Sequence, residues 1–175
     1  QYDIDFETRN DVTIPEYLKM IEYKTAVLVG AAMKMGAIVA EASEQDQDVI
    51  YDFGRYLGIA FQLQDDYLDA FGNPETFGKQ VGGDILENKK TYLYLKTLEL
   101  GSDTENSSLL DLMSSISITN EAKVEKVKAL FNISGAADAT QLAVKDYTKK
   151  AFSVLEELNI SEDKKQILQL FGEQL

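Results

Sequence analysis

Apolar residues recur along most of the chain at intervals of three and four positions, the spacing of side chains on one face of an α-helix. The strict alternation that is typical of a half-buried strand is rare. Only two prolines, Pro15 and Pro74, interrupt the pattern. The sequence therefore predicts an all-α fold, built as an antiparallel bundle of helices.

Two long helices are predicted in the first half of the chain. The segment Thr13-Ile14-Pro15-Glu16 is a capping box with proline in the first turn, so a helix is expected from there to about Ala42. A second helix is expected over about 46–69, because the glycine and proline within 71–74 then break the pattern. Within it, Gly58 either leaves space beside a cavity or allows close helix packing.

A glycine-rich segment separates these helices from the rest of the chain. Between positions 75 and 90, three glycines are mixed with lysines, and this composition predicts a functional loop. Residues 102–106 are polar and predict a turn, while Thr119 and Ser161 are predicted N-caps. Further helices are predicted over residues 91–100, 107–115, 120–131, 136–158 and 162–170.

An acidic cluster lies at the end of the second predicted helix. Helical spacing places Gln62, Asp65 and Asp69 in one row, with Asp66 beside them. Carboxylates this close repel one another and oppose the helix macrodipole, so a cation is expected to offset them. A magnesium ion suits this role, since it takes one or two carboxylates and completes its coordination with water and phosphate oxygens. The alternative is a solvated acidic helix end, which is common in acidic chains.

Three lysines are candidates for binding an anion. Lys24 and the neighbouring Thr25 lie in an otherwise apolar helical stretch, where a charge must be paired or must extend to water. Lys79 and Lys89 flank the glycine-rich loop, and such a loop suits folding over a diphosphate. Each lysine also has an ordinary interpretation: extension of Lys24 to solvent, and a flexible solvated loop for the other two.

Composition narrows the possible chemistry. The 30 acidic and 17 basic residues give a formal net charge of −13, which repels nucleic acid and anionic membrane surfaces at long range. Without cysteine or histidine, disulfides, thiolate metal sites and the commonest general base are excluded. Chemistry must therefore use carboxylates, lysines, hydroxyls, a hard metal or the substrate itself. No apolar stretch reaches the roughly 18 to 20 residues that span a bilayer, so we expect no integral membrane contact and a cytoplasmic protein.

Four segments of the chain carry a family resemblance through their order and spacing. They are Lys24-Thr25, Phe61-Gln62-Leu63-Gln64-Asp65-Asp66-Tyr67-Leu68-Asp69, Gly78-Lys79-Gln80-Val81-Gly82-Gly83-Asp84 and Lys89-Lys90-Thr91-Tyr92. Together they closely resemble the second half of the trans-isoprenyl diphosphate synthases of the farnesyl and geranylgeranyl type. The resemblance runs from Asp3 to the C-terminus and weakens after about Leu100.

The resemblance implies an isoprenoid synthase fold, an all-α bundle around a deep central cavity. It implies that residues 1–175 are the C-terminal part of a single polyprenyl synthetase domain that here lacks its N-terminal helices. In the family, two aspartate-rich motifs face each other across the mouth of the cavity. The acidic cluster of this chain matches the second motif.

Site residues carry over position by position. The matched residues are Asp65, Asp66 and Asp69 for Mg²⁺, Lys24, Lys79 and Lys89 for the diphosphate, and Thr25 and Gln62 near the reacting carbon of the substrate. Asp84 matches a loop aspartate with a structural role, the orientation of a lysine. The implied catalytic set is Lys24, Thr25, Gln62 and Asp65.

The activity implied by the resemblance is the condensation of an allylic diphosphate with isopentenyl diphosphate, in isoprenoid biosynthesis. The allylic substrate that the resemblance implies is dimethylallyl or geranyl diphosphate. Charge on the leaving diphosphate is balanced by lysines and magnesium, the allylic carbon ionises, and the double bond of isopentenyl diphosphate attacks it. The released diphosphate can accept the proton that is then lost, so no histidine is required.

Two other functions are open at this point. A terpene cyclase shares the fold and the ionisation chemistry, but it usually carries a mixed Asn/Asp, Ser/Thr, Glu metal motif where this chain has Asp-Asp-x-x-Asp. A catalytically silent partner subunit, or a helical interaction module of the same fold, is the second alternative. The resemblance also implies a homodimer, with the largely apolar helix over about 13–42 as a candidate contact.

The first aspartate-rich motif and the basic loop for isopentenyl diphosphate are expected upstream of Gln1. We therefore predict that the 175-residue chain alone does not condense allylic and isopentenyl diphosphates, because half of the metal and substrate ligands are missing. Incubation of the purified chain with both substrates and Mg²⁺, followed by product extraction, tests this. Turnover above the uncatalysed background would contradict it.

Overall fold

The computed structural model describes residues 6, 9–73, 81–115 and 117–174. Within these ranges every regular element is helical, and the prediction of an all-α fold is confirmed. A helix of sufficient length and apolarity to cross a membrane does not occur in the described ranges.

The helices are numbered here in chain order, and the five-residue π-helical segment is called the π turn. They are α1 (Ile14–Ile21), the π turn (Glu22–Ala26), α2 (Val27–Val39), α3 (Glu44–Phe71), α4 (Gly83–Leu86), α5 (Tyr92–Leu100), α6 (Asp103–Ser114), α7 (Asn120–Ile133), α8 (Ala136–Leu155) and α9 (Glu162–Glu173).

The helices divide into two compact units. Unit 1 comprises the described residues within Gln1–Tyr17 and Leu63–Leu142, and unit 2 comprises those within Leu18–Gln62 and Ala143–Leu175. The boundaries fall inside α1, α3 and α8. The expectation of a single domain stays a prediction, and each unit is described by itself.

Unit 2 is built on the N-terminal part of α3. Phe53 and Leu57 are fully buried there and pack with Leu155 of α8 in one apolar cluster. Glycines on another face of α3 allow α2 and the π turn to approach closely. A Cβ atom placed on Gly58 would lie 2.6 Å from the Cα of Ala26, which is shorter than van der Waals contact. Of the two interpretations of Gly58, close helix packing is therefore confirmed.

Unit 1 is organised around α7. This helix packs against α4, α5 and α6, and its Val127 and Phe131 are fully buried. Lys123, on the same helix, is also buried; its Nζ donates hydrogen bonds to Asn88 Oδ1 at 2.7 Å and to the carbonyl of Met113 at 3.1 Å. Buried polar groups need such partners, so the lysine ties α7 to the segment after α4.

Several predicted helix ends are confirmed. The capping box at the start of α1 is present, with the Thr13 backbone N–H donating to Glu16 at 2.9 Å and the Glu16 N–H donating to Thr13 at 3.4 Å. Thr119 caps α7 by accepting from the N–H of Ala122. Ser161 is the N-cap residue of α9, as predicted, although its side chain makes no capping hydrogen bond.

Three local expectations were wrong. The first predicted helix is interrupted by the π turn, which no proline or glycine marks. Residues 102–106 were expected to form a turn, but Ser102 and Glu105 form a capping box and α6 begins at Asp103. The segment 81–90, expected as loop, contains α4, whose N-cap Gly82 has a φ of 87° that favours glycine.

Two helical glycines give a matched test of close packing in unit 2. Gly58→Ala is expected to lower the free energy of unfolding by about 1–3 kcal/mol, because the backbone of Ala26 must shift. Gly36 of α2 has no atom near its Cβ position, so Gly36→Ala is expected to raise it by about 0.5–1 kcal/mol through helix propensity. Urea denaturation measures both, and equal effects would contradict the close approach.

Candidate active site

Asp66 of α3 is buried in unit 1 and is held by two hydrogen-bond donors. The Tyr17 hydroxyl, from α1, donates to its Oδ2, and so does the backbone N–H of Tyr92 at 3.1 Å. Tyr92 is the first residue of α5, so this N–H has no partner within its own helix. The carboxylate therefore lies at the N-terminus of α5, where the helix macrodipole favours negative charge.

Burial dominates the electrostatics at Asp66. It raises the pKa of the carboxyl to about 7, although the hydrogen bonds from Tyr17 and Tyr92 act in the opposite direction. The negative charges of Asp84 and Asp65 raise the pKa further. Burial likewise raises the pKa of the Tyr17 hydroxyl well above its usual value, so it remains a donor. Asp66 is thus a carboxyl whose charge is disfavoured without a compensating cation.

Asp69, one turn further along α3, holds the start of α4. Its Oδ2 accepts the backbone N–H of Asp84 at 2.9 Å, and its carbonyl accepts the N–H of Gly82 at 2.6 Å. Burial raises the pKa of Asp69, the Asp84 N–H lowers it, and the charge of Asp84 raises it. Asp69 thereby positions the backbone that carries Asp84.

Asp84 in turn forms an ion pair with Lys89, one of the lysines predicted to bind the diphosphate. Its Oδ1 accepts a hydrogen bond from Lys89 Nζ at 2.7 Å, and Glu87 lies 3.0 Å from the same ammonium group. Burial by itself lowers the pKa of Lys89, but the bonds to Asp84 and Glu87 raise it above its ordinary value. Lys89 is therefore charged and about half exposed, and the contact implied for Asp84 by the resemblance is present.

The aspartates do not form a complete protein cage for a metal. Within the described ranges, no three carboxylates are grouped so that they could hold a metal ion. The donor chemistry nevertheless fits magnesium, since Asp65 and Asp69 offer hard oxygens. A cation would also offset the burial and the repulsion that raise the pKa of Asp66 and Asp69. The assignment of Asp65, Asp66 and Asp69 to Mg²⁺ stays a prediction.

Unit 2 contains the remaining described site residues. Lys24 and Thr25 lie in the π turn, and Lys24 is exposed to solvent. The Thr25 hydroxyl donates to Gln62 Oε1 at 2.5 Å, so the structure brings these two predicted residues together. π-helical turns are rare, and those that occur are frequently found at functional sites. The position of Lys24 and Thr25 in such a turn agrees with their predicted role in the site.

One predicted residue lies outside the described ranges. Lys79 belongs to the glycine-rich segment, of which residues 74–80 are not described. Its role in binding a diphosphate stays a prediction.

Sequence reasoning missed several residues that support the site. Tyr17 lies within the first predicted helix and fits its apolar pattern, yet its hydroxyl donates to Asp66. The second is the ion pair, 2.7 Å long, between Arg55 and Glu22, the first residue of the π turn. A polar atom within an apolar stripe was the available signal for Tyr17, whereas no local pattern linked Glu22 to a residue 33 positions away.

Comparison with known proteins identifies the family. The family model of polyprenyl synthetases matches residues 1–134, which is more than half of the chain. The chain belongs to the polyprenyl synthetase family. The resemblance seen in the sequence and the expected isoprenoid synthase fold are both confirmed.

Relatives of this polyprenyl synthetase chain include isoprenyl diphosphate synthases and solved structures. A short chain isoprenyl diphosphate synthase of Methanothermobacter thermautotrophicus is 39% identical over 160 residues, or 91% of this chain and 48% of the relative. A crystal structure of a geranylgeranyl pyrophosphate synthase is 52% identical, with a TM-score of 0.94 over 99% of this chain and 54% of that one.

A third relative is the polyprenyl synthase of Caulobacter crescentus, solved in complex with calcium and isoprenyl diphosphate. It is 31% identical, with a TM-score of 0.88 over 98% of this chain and 52% of that one. The chain therefore spans about half the length of the relatives that it matches.

The bond from Tyr17 to Asp66 can be tested by removing one oxygen. Tyr17→Phe is expected to lower the free energy of unfolding by about 1–3 kcal/mol, because a buried acceptor loses its donor. Tyr23→Phe is the control, since Tyr23 is 57% exposed, and it is expected to be nearly neutral. Denaturant unfolding of both variants provides the comparison; similar small effects would show that the buried bond contributes little.

Proposed function

We propose that this chain is the part of an isoprenyl diphosphate synthase that binds the allylic diphosphate through a magnesium ion. The main observation is the acidic cluster on α3, where burial and mutual repulsion disfavour the negative charge of Asp66 and Asp69. Lys89 adds a positive charge next to this cluster, since it is paired with Asp84. Asp69 in turn holds the backbone of Asp84. Anionic ligands beside a cationic side chain suit a metal-bound diphosphate.

Relatives support this proposal. The family is that of the polyprenyl synthetases, and the relatives named above include isoprenyl and geranylgeranyl diphosphate synthases. The Caulobacter crescentus relative binds calcium and isoprenyl diphosphate, a hard divalent cation with a ligand of the proposed class. Calcium and magnesium share a preference for oxygen ligands.

The proposed reaction is the transfer of the allylic group to isopentenyl diphosphate. Bound magnesium would supply positive charge that stabilises the leaving diphosphate. Lys24, Lys79 and Lys89 would bind diphosphate oxygens and hold the leaving group in place. Thr25 and Gln62, already joined by a hydrogen bond, would orient the substrate near its reacting carbon.

A second candidate is a partner subunit without activity of its own. The observation that favours it is the exposed apolar surface of α2, which suits contact with another subunit. A homodimer is also proposed, because α2 exposes large apolar side chains that a partner would bury. They are Leu28, Met35, Ile38 and Val39.

Binding of inorganic diphosphate separates these candidates. Wild-type chain is expected to bind diphosphate in the presence of MgCl₂, and Asp65→Ala is expected to weaken this at least about tenfold, or about 1.4 kcal/mol, by loss of a metal ligand. Isothermal titration calorimetry measures the affinity with and without Mg²⁺. Asp111→Asn, at an exposed position of α6, is the control for a general change of charge.

The silent-partner function predicts a different result. In that case the affinity for magnesium diphosphate would be the same in wild type and Asp65→Ala, or absent from both.

A further inference from the structure

The π turn is a backbone irregularity that needs support from its surroundings. The N–H of Val27 reaches the carbonyl of Glu22, five residues earlier, instead of the fourth residue of a regular α-helix. The segment has neither proline nor glycine within it. Since π geometry is rare and poorly favoured, contacts from elsewhere in unit 2 must stabilise it.

One helix, α3, supplies such contacts along the whole π turn. At the first residue, Arg55 Nη1 bonds to Glu22 Oε1 at 2.7 Å. At the last, Gly58 allows the backbones to meet at Ala26. Between them, Gln62 accepts the Thr25 hydroxyl. Positions 55, 58 and 62 are three and four residues apart, so they share one side of α3.

The ion pair of Glu22 and Arg55 is the charged member of this set and is half-buried. Side-chain exposure is 21% for Arg55 and 28% for Glu22. Arg55 is also fixed by Asp52 at 3.0 Å and by the ring of Tyr56, whose centroid lies 4.4 Å from the guanidinium carbon. A guanidinium held at three sides has little freedom, so it is a rigid anchor for Glu22.

We propose that Glu22 and Arg55 are a positioning pair that holds the π turn so that Lys24 and Thr25 are presented to the allylic diphosphate. This inference rests on the proposed function of those two residues. Glu22 and Arg55 are assigned no contact with substrate; they act through the backbone of the turn. Loss of either is expected to weaken the bond from the Val27 N–H to the Glu22 carbonyl, so that the segment opens and the side chains that follow Glu22 change direction.

The chain contains a matched control for this pair. Lys34 of α2 and Asp48 of α3 form another ion pair between the same two helical stretches, at 2.5 Å. Asp48 is 73% exposed, and Lys34 lies eight positions beyond the π turn. Lys34→Met therefore removes an inter-helix ion pair without removing a contact to the turn.

The test is a double-mutant cycle of Glu22→Gln, Arg55→Met and the double variant, compared with Lys34→Met. Hydrogen exchange at the Val27 amide reports the π-turn bond directly. Titration with inorganic diphosphate and MgCl₂ reports the presentation of Lys24 and Thr25. Thermal unfolding measures the stability of the whole chain. An ion pair with only a structural role would change that stability, but it would have no selective effect on exchange at Val27 or on the affinity for magnesium diphosphate.

Each single variant is expected to speed exchange at Val27 about tenfold relative to the amides of residues 34–37, and to raise the dissociation constant for magnesium diphosphate about fivefold to tenfold. The double variant should show the same exchange rate and dissociation constant as either single variant, because all three lose the same ion pair between Glu22 and Arg55. Lys34→Met should change both quantities less than twofold.

Three results would overturn the inference. Exchange at Val27 that is unchanged, or equally fast in Lys34→Met, would show that the pair does not hold the turn. Faster exchange with unchanged diphosphate affinity, where Asp65→Ala still weakens binding, would show a structural role only. Absence of magnesium diphosphate binding by wild type would instead refute the proposed function, and this inference with it.

Discussion

The burial of the Asp66 carboxylate is the constraint around which unit 1 is arranged. A carboxylate removed from water needs hydrogen-bond donors, and here they come from the side chain of Tyr17 and the backbone of Tyr92. This requirement joins α1, α3 and α5 at one point. It also sets the rotation of α3 about its axis: since successive helical residues differ by about 100°, directing Asp66 inward turns Asp65 to another side of the helix.

The neighbouring carboxylates show how the same chemical group can serve structure and chemistry. Asp69 binds the start of α4 through its side chain and its carbonyl, and Asp84 binds Lys89. Negative charges therefore lie on α3, at Asp69, and on α4, at Asp84, and the positive charge of Lys89 follows α4. Burial raises the pKa of Asp66 and Asp69, and repulsion from the neighbouring acidic groups raises it further, so a divalent cation would stabilise the charged form of the cluster.

In unit 2 the corresponding constraint is the π turn, an irregular helical segment that needs support from a neighbouring helix. Regular α-helical bonding is lost over Glu22–Ala26, and contacts from α3 replace what the backbone gives up. Glycine at position 58 brings the helices close, while Arg55 and Gln62 supply polar contacts on either side. The turn that carries Lys24 and Thr25 is therefore a property of two helices together.

The sequence by itself determined the helical class, most helix ends and the family, because these depend on local signals. Apolar spacing marked α3 to within about two residues at each end, and the capping box of Thr13 and Glu16 marked the start of α1. The four quoted segments identified the polyprenyl synthetases before any geometry was known. Local signals failed at residues 102–106, where polar composition suits a turn and a capped helix start equally well.

Only the tertiary structure decided which polar atoms meet. The row of Gln62, Asp65 and Asp69 followed from helical spacing, but the direction of Asp66 into the core followed from Tyr17, 49 positions away. In the same way, Glu22 is paired with a residue 33 positions further along, and the π turn exists where α3 supports it. The physical reason is that hydrogen bonds and burial are satisfied by neighbours in space, whereas periodicity and capping report only neighbours in sequence.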